Sequence, residues 1–145
     1  MMNTEVVEFD VHSELYQAAC LLRQEILRLP IGLDLFAEDL SQENNCRHFG
    51  VLSNKQLIAY LLIVPQADKS VTLRQMCVVE AYRGQGVGRR LIQHIEESLK
   101  QSEIEMIELA ARVQAVPFYE RLGYRCVGEE FDSVGIPHRK MDKIL

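Results

Sequence analysis

Three of the eight glycines in the chain fall within five residues, in the segment Arg83-Gly84-Gln85-Gly86-Val87-Gly88. Glycine lets the backbone approach a ligand closely and adopt torsion angles that other residues avoid. The first N–H groups of a helix have no intrahelical partner, and the helix dipole makes that end attractive to anions. An apolar segment ending at Val79 precedes these glycines and an amphipathic pattern follows them. The segment therefore predicts a phosphate site at the start of a helix, with a plain tight turn as the alternative interpretation.

The spacing of the glycines decides which phosphate-binding loop they resemble. A Walker A loop requires Lys and then Ser or Thr after its last glycine, and a dinucleotide-binding loop requires the pattern G-x-G-x-x-G. Neither pattern occurs in residues 83–88. The pattern R-x-x-G-x-G does fit, with Arg83, Gly86 and Gly88 at its fixed positions. This segment resembles the acetyl-CoA pyrophosphate loop of the GCN5-related N-acetyltransferase (GNAT) family.

The resemblance extends to both sides of this loop. Residues 76–82 are similar to the end of the family's fourth strand and to its lead into the loop. Residues 115–124 are similar to the family's F-Y-x-x-x-G-F/Y segment. The resemblance is strongest over residues 73–128, and residues 22–33 and 135–138 are similar to those of a small bacterial subgroup.

The resemblance implies that acetyl-CoA is the co-substrate and that no metal is needed. Backbone groups of Val78 and Val79 would hold the pantetheine arm and polarise the thioester carbonyl, because N–H donors stabilise charge that develops on a carbonyl oxygen. The loop amides would hold the pyrophosphate, and two arginines could add positive charge. The implied cofactor-binding residues are Val78, Val79, Arg83, Gly84, Gly86, Val87, Gly88 and Arg89.

Tyr119 is the residue that the resemblance implies as the general acid. The leaving CoA thiolate must be protonated, and the family uses the Tyr of its Phe-Tyr pair for this step. A phenol with an ordinary pKa of about 10 can donate a proton from hydrogen-bonding distance. The alternative is that Tyr119 only packs beside Phe118.

The sequence leaves the general base open. Members of the family often place a carboxylate on the fourth strand, but residues 71–75 of this chain contain no acid. Other candidates could accept the amine proton, and each is also explained as an ordinary surface or structural residue. These candidates are Glu25, His48, Glu108 and His138.

Two residues are predicted to contact the acceptor. Arg74 would bind a carboxylate of the acceptor if its side chain faces the cleft, and it would be solvated if the side chain faces outward. The alternation of side chains along a strand does not choose between these orientations. His138, in the segment similar to the bacterial subgroup, is the second predicted substrate residue. At Arg112 the sequence departs from the family pattern, since many members have an Asn there near the pantetheine arm.

Hydrophobic periodicity indicates the elements that must position these residues. Strands are predicted over residues 6–11, 48–52, 56–64, 71–79, 104–111, 124–131 and 136–144. Helices are predicted over residues 13–29, 34–40, 86–101 and 114–122. With the resemblance, this order predicts an α+β fold in which about four helices flank a mixed, mostly antiparallel central sheet of about seven strands. The fourth and fifth strands would splay apart, and residues 1–145 would form a single GNAT-like domain.

Composition and charge limit the other classes of function. The formal net charge is -5 and no long Lys/Arg run occurs, which argues against nucleic-acid binding and favours cationic small molecules as partners. The longest apolar run, Leu57–Val64, is far shorter than the roughly 20 residues of a membrane-spanning helix. Residues 1–5 are not basic, so no signal peptide is expected. The four cysteines are widely spaced, which predicts free thiols in the cytoplasm.

The expected activity is therefore acetyl transfer from acetyl-CoA to an amine of a small molecule or peptide, by direct attack in a ternary complex. A non-catalytic acyl-CoA-binding sensor or partner module is the alternative, because it would share the cofactor loop. A different nucleotide-binding domain is a third interpretation. Many members of the family dimerise, so the resemblance also leaves a homodimer open.

Overall fold

The computed structural model describes residues 3–145, in which seven β-strands form one sheet. The strands are β1 (Thr4–Phe9), β2 (Arg47–Ser53), β3 (Gln56–Pro65), β4 (Ser70–Val78), β5 (Met106–Arg112), β6 (Arg125–Ser133) and β7 (Ile136–Ile144). Their order is β1-β2-β3-β4-β5-β7-β6, and every neighbouring pair except β4 and β5 is antiparallel. The predicted mixed, mostly antiparallel sheet is confirmed. Met1 and Met2, which begin the predicted domain and the segment that argued against a signal peptide, lie outside the described residues.

Within residues 3–145 the α-helices are α1 (Glu14–Arg23), α2 (Val87–Gln101) and α3 (Val116–Arg121). Residues 24–46 connect α1 to β2 through short helical turns, and we call them the α1–β2 connection. The helix predicted over residues 13–29 becomes a π-helical turn after Arg23 and ends at Gly32, whose φ is 73°. The helix predicted over residues 34–40 is only a 3₁₀ turn, and Leu35 is its single buried residue. A longer helix there would bury little apolar surface, and burial is what stabilises most helices in proteins.

Helices cover both faces of the sheet. The amphipathic pattern after the glycines forms α2, whose apolar residues are buried on one face of the sheet, which we call the α2 face: Val87, Leu91, Ile92, Ile95 and Leu99. On the opposite face, the α1 face, Ala19 of α1 packs with Tyr60, Leu62 and Cys77. Because side chains alternate along a strand, these two helical layers define which face each strand residue presents.

Strands β4 and β5 separate soon after they meet, which confirms the predicted splay. Their parallel pairing comprises Ser70↔Met106, Val71↔Ile107 and Thr72↔Glu108. Further along β4, Gln75 adopts a φ of 61°, and the register with β3 shifts between Tyr60 and Leu62. This β-bulge adds a residue to β4 and bends it. Beyond Thr72 and Glu108 the two strands therefore face each other across a gap.

Two further sequence expectations concern membranes and thiols. None of the helices in residues 3–145 combines the length and the apolar character needed to cross a bilayer. The four cysteines, all within the described part of the chain, are unpaired, as predicted, and Cys20 and Cys77 are buried.

Candidate active site

A cavity of about 1590 Å³ opens where β4 and β5 diverge. Its walls come from β4, β5, the glycine loop, α2, α3, the α1–β2 connection and the hairpin between β6 and β7. Small-molecule sites commonly measure about 300–1,000 Å³, so this space can hold an extended ligand and a second molecule. All predicted site residues except Val79 line it: Arg74, Val78, Arg83, Gly84, Gly86, Val87, Gly88, Arg89, Tyr119 and His138.

The glycine loop leaves the N-terminus of α2 open toward this cavity. Gly84 and Gly86 have φ values of 75° and 81°, a left-handed conformation that favours glycine. Gly86 is the N-cap of α2 and offers no capping side chain, and the first helical hydrogen bond runs from Arg90 N to Gly86 O. The N–H groups of Val87, Gly88 and Arg89 precede that bond, so they remain available to an anion. The geometry expected of a phosphate site is thus present.

A close contact fixes where this loop lies. A Cβ added at Gly88 would come within 3.1 Å of Met76 Cε and 3.2 Å of Phe118 Cζ. Because no larger residue fits without displacement of these side chains, Gly88 lets α2 begin against the end of β4 and against α3. Arg83 is held beside the loop by a hydrogen bond of 3.0 Å from its Nε to Val78 O.

The backbone N–H groups of Val78 and Val79 point in different directions. The N–H of Val79 donates to Ile58 O at 2.8 Å, so this amide is used within the sheet and Val79 does not line the cavity. Backbone groups alternate in direction along an antiparallel strand. The N–H of Val78 therefore points the other way, into the gap between β4 and β5. The predicted thioester contact is available to Val78 and not to the N–H of Val79.

Tyr119 lines the cavity, and aromatic contacts hold its ring in place. The ring is 6% exposed and makes edge-to-face contacts with Phe118 at 5.1 Å and with Tyr124 at 5.7 Å between ring centroids. Burial raises the pKa of the phenol above its ordinary value, so the hydroxyl keeps its proton at neutral pH. A rigidly held, protonated phenol is the form that a general acid needs.

Among the four candidates for the base, only His138 lines the cavity. His48 is fully buried, and its two ring nitrogens lie 2.7 Å from Tyr60 Oη and 2.9 Å from Glu43 O, which identifies it as a structural residue. Glu108 Oε1 lies 3.9 Å from Lys140 Nζ, outside the cavity lining. Glu25, on the turn after α1, is exposed and also outside it.

The carbonyl oxygen of Ile136 determines which ring nitrogen of His138 carries the hydrogen. His138 Nδ1 lies 2.7 Å from Ile136 O, and a carbonyl oxygen can only accept a hydrogen bond. Nδ1 therefore carries the hydrogen, which leaves the lone pair of the neutral ring on Nε2. The ring stacks on Phe131 with centroids 5.8 Å apart, so its orientation is fixed.

Comparison with known proteins agrees with this geometry. Residues 30–145 match the family model of the acetyltransferase (GNAT) domain. The chain belongs to the GNAT family. Since the family carries out acyl transfer, we assign this GNAT chain to the acyltransferases.

Individual relatives show the same likeness in sequence and in structure. YitI of Bacillus subtilis (strain 168), an uncharacterized N-acetyltransferase, is 35% identical over 121 residues, which cover 79% of this chain and 81% of YitI. A candidate N-acetyltransferase of Lactobacillus plantarum has a TM-score of 0.87 at 28% identity, with 98% of each chain covered. An aminoglycoside 6′-N-acetyltransferase complexed with coenzyme A shares the fold, with a TM-score of 0.81 at 18% identity. The match covers 97% of this chain and 96% of the acetyltransferase.

A polar network behind the β4 bulge of this GNAT protein was not predicted from the sequence. Arg23, only 1% exposed, donates to both carboxylate oxygens of Glu43 at 2.8 and 2.6 Å, and Tyr16 Oη donates to the same carboxylate at 2.6 Å. Arg23 Nε and Arg28 Nη2 also donate to Gln75 Oε1 at 3.3 and 3.2 Å. The network therefore fixes the side chain of the bulge residue. A charged Arg23 on the same helical face as Ala19 was the available signal for a buried partner.

Arg74 lies on the cavity wall, immediately before this bulge. Its backbone pairs with Leu62, which packs on the α1 face, whereas Leu73 packs in the core on the α2 face. Arg74 is therefore directed to the α1 face and lines the cavity. Of the two orientations that the sequence left open, this is the one that faces the cleft. No group of three or more His, Cys, Asp or Glu side chains in residues 3–145 is arranged to hold a metal ion.

Proposed function

We propose that this chain is an acetyl-CoA-dependent N-acetyltransferase that acetylates an amine of a small molecule or peptide by direct attack in a ternary complex. The observation that carries this proposal is a single cavity. It joins the gap between β4 and β5 to the open N-terminus of α2 and to Tyr119. Family membership supports acyl transfer, and the shared fold of the acetyltransferase complexed with coenzyme A supports this choice of acyl carrier.

The residues of the gap and the loop fit acetyl-CoA. The N–H groups of Val87, Gly88 and Arg89 face the space where a pyrophosphate would lie, and the absence of a side chain at Gly86 leaves that space open. The side chains of Arg83 and Arg89 add positive charge at the same end. The unpaired edge of β4, including the N–H of Val78, offers hydrogen bonds to an extended pantetheine arm.

Acetyl-CoA supplies an activated acetyl thioester. The residues of the chain accept one proton from the amine and donate one proton to the leaving sulfur. His138 Nε2 accepts a proton from the attacking amine as the nitrogen forms a bond to the acetyl carbon. The N–H of Val78 stabilises the charge that develops on the acetyl oxygen. As the carbon–sulfur bond breaks, Tyr119 Oη donates its proton to the sulfur, which leaves as a neutral thiol. The phenolate of Tyr119 then regains a proton from His138 through solvent, so that atoms and charges balance over one turnover.

The test is release of free CoA from acetyl-CoA in the presence of a panel of amines. We expect turnover with at least one amine, and Tyr119→Phe should lower kcat by about 10²-fold or more while the KM for acetyl-CoA changes little. Tyr82→Phe is the matched control, because it removes another phenol from the cavity wall on the loop side. Tight acetyl-CoA binding without turnover on any amine would instead support the non-catalytic sensor. The cytoplasmic location, the single-domain organisation and the homodimer stay predictions.

A further inference from the structure

The charges that line the cavity differ in sign from the charge of the whole chain. Two carboxylates line it, and both are ion-paired: Glu38 Oε2 lies 2.7 Å from Arg28 Nε, and Glu96 Oε1 lies 3.0 Å from Lys143 Nζ. The remaining cationic lining residues form no ion pair within residues 3–145: Arg74, Arg83, Arg89, Arg112 and Arg121. The cavity is thus positively charged although the chain carries a formal net charge of -5. The net charge of the chain therefore does not describe the charge of this cavity.

These unpaired arginines fall into two groups. Arg83 and Arg89 flank the glycine loop, and Arg121 lies one helical turn after Phe118, whose ring is next to Gly88, so we group these three at the end assigned to phosphate groups. Arg74 lies on the α1 face of β4. Arg112 follows Ala111, which packs in the core on the α2 face, so Arg112 also presents the α1 face. These two guanidinium groups are therefore on the opposite face of the sheet from α2.

The surroundings of Arg74 and Arg112 describe the rest of an acceptor site. Arg112 is paired across β5 and β7 with His138, which places a guanidinium next to the proposed base. The α1–β2 connection and the β6–β7 hairpin add apolar lining residues at this end: Ile26, Leu27, Ile31, Leu33 and Val134. An occupant of this space would therefore meet positive charge, a basic nitrogen and an apolar wall.

We propose that the acceptor is an amine that also carries a carboxylate and an apolar group, such as an apolar amino acid or a short peptide with a free C-terminus. This inference rests on the proposed N-acetyltransferase activity. Arg74 and Arg112 bind the carboxylate, since guanidinium groups form paired hydrogen bonds with it. The same positive charges lower the pKa of a bound ammonium group, which favours the neutral amine that must attack.

The test compares acceptors that differ only in the carboxylate. CoA release is measured with leucine, leucinamide and 3-methylbutylamine, and with glycyl-leucine and its C-terminal amide, each at equal concentrations of neutral amine. We expect the carboxylated acceptors to have a kcat/KM about tenfold to a hundredfold higher, the usual effect of hydrogen bonds to a charged group. Arg74→Gln and Arg112→Gln should each remove this preference by raising the KM of the acceptor, while the KM of acetyl-CoA stays unchanged. Lys100→Gln, an exposed cation outside the cavity lining, is the control.

The outcomes separate this inference from the proposed function. Turnover that is equal with and without the carboxylate, or unaffected by both arginine variants, overturns the inference and leaves the acetyltransferase in place. Lack of turnover with every amine tested overturns the proposed function. In that case protection against thermal unfolding decides, measured with CoA plus either N-acetyl-leucine or N-acetyl-leucinamide. If N-acetyl-leucine protects the chain and N-acetyl-leucinamide does not, and Arg74→Gln loses this protection, the carboxylate site stands. Equal protection by the two compounds, or no protection by either, overturns the inference.

Discussion

Replacement of Glu43 by Gln removes the negative charge that faces the buried guanidinium of Arg23. The carboxylate accepts hydrogen bonds of 2.8 and 2.6 Å from Arg23, which is 1% exposed. Breaking a buried ion pair at one partner costs about 3–5 kcal/mol, because the remaining charge is left uncompensated. The Gln oxygen can still accept one of these bonds, so we expect a loss of about 3 kcal/mol. For a chain of this length that corresponds to a Tm about 6–12 °C lower.

The assay is urea unfolding and thermal unfolding of wild type, Glu43→Gln and the matched control Glu38→Gln. Glu38 forms the same kind of pair with Arg28, but its side chain is 40% exposed. Exposed pairs contribute about 0–1 kcal/mol, so the control should lose far less. Equal losses in the two variants, with unchanged m-values, would refute the view that the Arg23 charge is strongly desolvated. Because Arg23 also donates to the side chain of Gln75, we expect kcat/KM to fall in Glu43→Gln as well.

The dependence on pH gives an independent check on the same pair. Burial acts to raise the pKa of Glu43, but hydrogen bonds from Arg23 and Tyr16 outweigh burial, so the pKa lies below 4.5 in the folded chain. A carboxylate with a depressed pKa stabilises the fold above its unfolded pKa and loses this effect as the pH falls through the folded pKa. The stability gap between wild type and Glu43→Gln should therefore be constant above about pH 5 and narrow below about pH 4.5. A gap that persists unchanged to about pH 3 would contradict this account.

Three further substitutions test the cavity. Gly86→Ala forces alanine into a φ of 81°, so unfolding free energy should fall by about 1–2 kcal/mol in urea titrations; an unchanged value argues against the left-handed N-cap. Gly88→Ala places a methyl group 3.1 Å from Met76 Cε and 3.2 Å from Phe118 Cζ, so these side chains must be displaced and the KM for acetyl-CoA should rise severalfold; an unchanged KM would show that they move without disturbing the loop. His138→Gln should lower kcat by about 10²-fold without weakening acetyl-CoA binding measured by calorimetry, and wild-type kcat would exclude His138 as the base.

The elements that depend on local patterns were predicted well. The amphipathic helix α2 and the strands β2, β3, β4 and β5 follow from periodicity in nearby residues. The predicted helix over residues 114–122 corresponds to α3, which carries Tyr119; Pro117 lies in its first turn and Gly123 follows its end. The loop pattern and the Phe-Tyr pair then indicated which residues surround one cavity.

Features that depend on distant residues were not predictable in this way. Gln has no particular preference for a positive φ, and the bulge at Gln75 is held by bonds from Arg23 and Arg28, about 50 positions earlier in the chain. The direction of the Val79 amide depends on its pairing with β3. The charge of the cavity was hidden for a similar reason. A count of charged residues does not show that Glu38 and Glu96 are neutralised while Arg74 and Arg112 are not.

The short pairing between β4 and β5 has a mechanical consequence. Three residue pairs connect these strands, fewer than connect any other neighbours in the sheet formed by residues 3–145. The sheet is therefore divided into two blocks, β1–β4 and β5–β7, that are joined along a narrow hinge. A ligand lying in the gap and bonding to both edges would bridge the blocks and restrict their relative rotation. Amide hydrogen exchange in the far parts of β4 and β5 should then slow together when the gap is filled, even at positions that the ligand does not touch.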